Sequence, residues 1–169
     1  MNILKKIMFF FLISFTLVGC NSVATKNKLP VVKPKDFNFV FNYGVNSKNQ
    51  LNTVKRQYTK DMVMDPSVTM NLILSDEEMN SIYIEMVKIN ILNYPENFNT
   101  KSNSKRMPFE TYSLKVIIDG KGKNIAWKDE DVSKSEEAVK LRGLFEKIKA
   151  IIIQKEEYKK LPPANGGYD

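Results

Sequence analysis

The chain has 169 residues, with 26 lysine and arginine residues against 19 aspartate and glutamate, no histidine and a single cysteine. The absence of histidine removes imidazole base catalysis and histidine metal ligation. One cysteine cannot form an internal disulfide or a cysteine-ligated zinc or iron–sulfur centre.

An apolar run over residues 7–18, broken only by Ser14 and Thr16, follows Lys5 and Lys6. That charged-then-apolar layout is an export signal. About 12 residues span about 18 Å as a helix, well short of the ~30 Å hydrocarbon core, so the run predicts a cleaved segment rather than a permanent span. It ends in Leu17-Val18-Gly19-Cys20, which resembles the lipobox of bacterial lipoproteins at all four positions. The resemblance implies diacylglycerol on the Cys20 thiol and cleavage between Gly19 and Cys20. The competing reading is an ordinary secretory signal followed by an unrelated free cysteine.

Cleavage there leaves 150 residues, 20–169, with 24 basic residues. Lys26, Lys28, Lys33 and Lys35 precede the first acidic residue, Asp36, and from Asp36 onward the balance is 20 to 19. The basic excess therefore belongs to the signal and the following segment, which argues against a nucleic-acid partner. Residues 20–35, with Pro30 and Pro34, read as an extended basic tether of up to about 50 Å. It is a solvated spacer or a segment drawn to anionic lipid.

The folded domain is expected over 36–161. Phe37, Phe39, Phe41 and Tyr43 alternate with Asn38, Val40 and Asn42, the period of a strand with an aromatic buried face. A second strand is expected over 51–59 and a third over 67–74, after the breaker Asp65-Pro66. Ser75 and Glu78 form a capping box, opening a helix whose stripe is Met79, Ile82, Tyr83 and Met86 and which fades near Ile89. Residues 96–108 are polar and predict a long mobile loop. Residues 112–127 predict a hairpin turning over 119–123. A second capping box, Ser133 and Glu136, opens a helix to about Tyr158 with Ala138, Leu141, Phe145, Ile148 and Ile152 on one face. Pro162-Pro163 stops it, leaving 162–169 as an exposed tail. The order βββαββα predicts an α+β two-layer domain, an antiparallel sheet of about five strands with two helices on one face.

Three letter-level motifs lack their context. Ser102-x-x-Lys105 has no K-T-G partner, the Asp119-to-Lys123 turn leads into a strand rather than a phosphate-binding helix, and the acidic run from Asp129 places Lys134 and Lys140 where a calcium loop needs glycine and glutamate. No catalytic residue, metal ligand or cofactor is assigned. Candidate partner contacts are Asn97, Lys101 and Arg106 in the polar loop and Tyr168 in the tail, whose bland alternative is disorder without a partner. Across its whole length the chain is similar to small lipoproteins of low-GC Gram-positive bacteria, in FNYGV, TKDM, LSDEE, Trp127-Lys128-Asp129 and EYKKLPPANGGY. That group implies a domain outside the cytoplasm, held to the cell membrane through Cys20, and brings no activity with it. The favoured function is a non-enzymatic binding or accessory module with an envelope protein or glycan as partner. The alternatives are a hydrolase of envelope glycans using paired carboxylates, and an inhibitor or immunity-type protein.

Overall fold

The computed structural model describes residues 28–101 and 104–168. The signal, Gly19, Cys20 and the first part of the tether lie outside the described residues. The described residues form an α+β fold with one seven-stranded mixed sheet and three helices.

The chain enters through Leu29, which is buried in the core, and the Tyr83 hydroxyl donates to the Pro30 carbonyl at 2.6 Å. The end of the expected tether is thus packed onto the domain. Strand β1 (Asn38–Tyr43) places Phe39, Phe41 and Tyr43 on its buried side, as its alternation requires. The single strand expected over 51–59 is instead two, β2 (Asn49–Asn52) and β3 (Gln57–Met62). The break comes at Thr53 to Arg56, where the Asn52 side chain accepts from the Lys55 N–H at 3.0 Å and Arg56 takes φ 56°. An Asx-type turn in a polar stretch outcompetes strand continuation. Strand β4 (Asp65–Asn71) begins at the residues read as a breaker. It is the sheet edge, where a proline such as Pro66 forfeits no ladder bond.

Helix α1 (Asp76–Lys88) carries the expected capping box, with both reciprocal bonds between Ser75 and Glu78 present. It ends at Ile89, followed by Asn90 in the left-handed region and a 3-10 turn at Ile91–Asn93. Two residues of the polar loop form β5 (Asn97–Phe98), parallel to the last strand and anchored by buried Phe98. This pairing makes the sheet mixed rather than antiparallel. The hairpin β6 (Thr111–Ile118) and β7 (Lys121–Lys128) turns at Asp119-Gly120, both at positive φ. That is the two-residue Asp-Gly turn suited to strand twist, tighter than the expected 119–123.

Helix α2 (Glu136–Gln154) is capped by Ser135, whose side chain accepts from the Ala138 N–H, and not by Ser133. It ends at Gln154, four residues before Tyr158, and the next residue, Lys155, turns extended and reaches Glu78 of α1 at 2.5 Å. The third helix, α3 (Glu156–Lys159), follows.

The strand order is β4-β3-β2-β1-β6-β7-β5. Both long helices pack on the aromatic side of the sheet: Tyr83 of α1 meets Phe37 edge-on at 4.8 Å, and Phe145 of α2 lies 4.9 Å from Phe41 and 4.6 Å from Tyr112. The tail is tied down although residues 162–167 are exposed. Asn165 bridges Val63, exchanging backbone bonds of 3.2 Å with Met62 and Met64. Gly166 sits at φ 86°, where a Cβ would meet Met64 at 2.8 Å.

Candidate functional site

The chain holds 23 lysines and only 3 arginines, and two of those three converge on one carboxylate. Asp129, directly after β7, is fully buried. Arg142 of α2 grips it bidentately, Nε donating to Oδ2 at 2.8 Å and Nη2 to Oδ1 at 2.7 Å. The same guanidinium donates to the Ser133 carbonyl at 2.7 Å and lies 4.9 Å over the Trp127 ring. Arg106 adds an ion pair to Oδ2 and donates through Nε to the Asp129 carbonyl at 3.0 Å. A planar fork matches a carboxylate in a way lysine cannot. Its hydrogen bond to Asp129 raises the Arg142 pKa above its ordinary value despite burial. Backbone bonds of 2.9 Å from Arg106 to Glu130 and from Val132 to Ser104 lace one end of the polar loop to the β7–α2 connection.

A second group of charges lies about two turns further along the same face of α2. Glu110 accepts from the Tyr112 hydroxyl and from Lys149 at 3.2 Å, and Lys149 also reaches Glu146 at 3.0 Å. Burial alone lowers the Lys149 pKa, but the two glutamates carry it above the usual lysine range. Below it, the Tyr43 and Tyr58 hydroxyls are 2.6 Å apart, and burial pushes Tyr43 up to about 12. These tyrosines stay protonated at physiological pH and serve as packing with a satisfied polar tip.

The four expected contact residues do not form one site. Asn97 and Lys101 are exposed, and Lys101 makes no hydrogen bond or ion pair among the described residues. Arg106 is committed to Asp129. Tyr168 donates to Asp61 at 2.5 Å and accepts from Lys48 at 2.9 Å, with the ammonium 5.1 Å over its ring. That places it beside β3, five strands from β5 and about 24 Å away at the usual inter-strand spacing.

Asn97 belongs to a different arrangement. Paired residues of neighbouring strands share a face, and the registers align Thr69, Thr59, Gln50, Asn42, Ser113, Ala126 and Asn97 in one row across all seven strands. The row lies on the side away from the helices, none of its residues is buried, and it carries no charge. Beside it runs a second row, Asn71, Gln57, Asn52, Val40, Lys115 and Asn124, with one charge. Thr59 bonds Thr69 at 2.8 Å and Gln50 reaches Asn42 at 3.4 Å, whereas the amides of Gln57, Asn71, Asn97 and Asn124 make no side-chain hydrogen bond among the described residues. The row is about 29 Å long, six strand spacings. Alternation along β1 foretold a polar side for that strand, but the row depends on pairing register, which no local pattern specifies.

Among the described residues no cluster of three or more cysteine, aspartate or glutamate side chains is placed to hold a metal ion, and no helix is long and apolar enough to cross a membrane. No family model matches the chain, and no curated protein matches it.

Proposed function

We propose that this chain is a membrane-anchored lipoprotein facing outside the cytoplasm, and that its domain is a non-enzymatic binding module for a neutral envelope glycan. The observation that carries the binding role is the uncharged row of amides and hydroxyls on the open sheet face. Amides donate and accept at once, and so match the hydroxyl and N-acetyl groups of a sugar chain lying along the row. Aromatic residues and arginine, which anchor protein–protein interfaces, are absent from both rows. The location rests on Leu17-Val18-Gly19-Cys20 and the preceding apolar run. A hydrolase needs a carboxyl free to carry a proton, and neither Asp129, clamped by two guanidiniums, nor Glu110, bound to Lys149, is placed to do so. No observation favours an inhibitor or immunity-type partner.

Placing lysine at Asn42 and at Ser113 puts two charged stems in the middle of the row without touching the core. The doubly substituted protein is expected to lose retention on insoluble wall glycan by roughly tenfold or more, the effect of about 1.4 kcal/mol or more, with unchanged thermal unfolding. Equal retention of the two proteins, or retention that follows an added protein rather than glycan, contradicts the reading.

A further inference from the structure

A cleft of about 480 Å³ lies at the opposite end of the hairpin from Asp129, on the helix side of the sheet. Leu29 and Pro30 of the entering chain, Leu92 after α1, and Val116 and Ile118 of β6 line it with apolar surface. Lys28, Lys121 and Lys123 stand on its rim, with Asp119 as the one acidic member. The registers Val116 to Lys123 and Ile118 to Lys121 put both β7 lysines on the same side as the apolar lining. The Lys115 side chain adds a cation nearby, crossing the other side of the hairpin where a Cβ on Gly122 would meet it at 2.8 Å. An apolar floor under several ammonium groups fits an anionic amphiphile.

We infer that this cleft binds the headgroup of an anionic membrane lipid and sets the domain's orientation on the bilayer. The position of the undescribed chain names this occupant: Lys28, on the rim, is eight residues from Cys20, at most about 28 Å of extended chain. Only the nearness of the bilayer rests on the lipid-anchor reading. The cleft's affinity for the headgroup does not.

The test uses the chain from Asn21 onward, which keeps every core residue from Leu29 to Ile152 and has no cysteine to acylate. It is sedimented with vesicles of phosphatidylcholine alone and with phosphatidylglycerol added in about equal amount. Binding to the mixed vesicles only, weakened by added salt, is expected. K121E/K123E should weaken it by tenfold or more, since each lysine near such a surface is worth roughly fivefold, while the charge-matched K33E/K35E, away from the cleft, should weaken it less. Equal losses in the two variants, or no binding to mixed vesicles, overturn the cleft. Full displacement by free glycerol phosphate at the same concentration as vesicle lipid identifies a soluble phosphate site and overturns the lipid assignment. Finding Cys20 unacylated in cells removes the anchor and leaves the vesicle result standing.

Discussion

Replacing Arg142 with alanine is expected to destabilise the domain by about 3 kcal/mol, at the lower end of the cost of stripping a buried charge of its partner. The lower end applies because the Arg142 side chain is 24% exposed and Arg106 remains on Asp129, whose side chain is fully buried. The change strands a carboxylate that folding has removed from water and opens the bonds to Ser133 and Asp131 that hold the entry to α2. Removing Arg106 instead should cost about 1 kcal/mol or less, since its side chain is 43% exposed and solvent screens the pair. Adding Asp129→Asn to Arg142→Ala should recover part of the loss, because the uncompensated charge is gone. Urea unfolding midpoints at constant slope give all three values. A loss below about 1 kcal/mol for Arg142→Ala contradicts the clasp as a structural keystone.

Phe145→Ala should cost about 3–5 kcal/mol, the range for truncating a buried aromatic. Phe145 is fully buried and touches three rings from separate strands: Phe41 of β1, Tyr112 of β6 and Trp127 of β7. It joins α2 to the middle of the sheet, so neighbours held by the ladder can fill only part of the space it leaves. Val139→Ala, on the exposed side of the same helix, serves as the comparison and should shift stability by less than about 0.5 kcal/mol. Equal effects at the two positions are incompatible with this packing.

The elements readable along the chain were those with a local physical signature. The aromatic alternation from Phe37 to Tyr43 and the stripes of α1 and α2 record which side is buried, and each is buried in the structure. Ser75 and Glu78 state a helix start in two letters and make both bonds. The same two-letter rule misplaces the start of α2: Ser133 accepts from the Ser135 N–H at 3.3 Å, and Ser135 caps the helix. Phe98 stands alone among asparagines, and nothing local shows that it pairs with Trp127 on β7. Helix α2 ends early at Lys155, whose side chain pairs with Glu78 of α1, a contact between residues far apart in the chain.

The candidate site was less legible than the fold. Asn97 was readable as polar and exposed, but its place at the end of a seven-strand row follows from five antiparallel registers and one parallel one. Arg106, read as a contact, turns inward to Asp129. The available signal was the scarcity of arginine in a lysine-rich chain: an arginine supplies planar, two-pronged recognition that lysine cannot, and Arg106 and Arg142 meet at Asp129 whereas Arg56 is exposed.

In the proposed reading, attachment through Cys20 would hold the polar sheet face and the lysine-rimmed cleft at the membrane, and the intact mass of the mature protein from native membranes tests it most directly. A chain beginning at Cys20 and carrying a diacylglycerol thioether on that sulfur is the expected product. An uncut precursor, or a processed chain with a free Cys20 thiol, contradicts it.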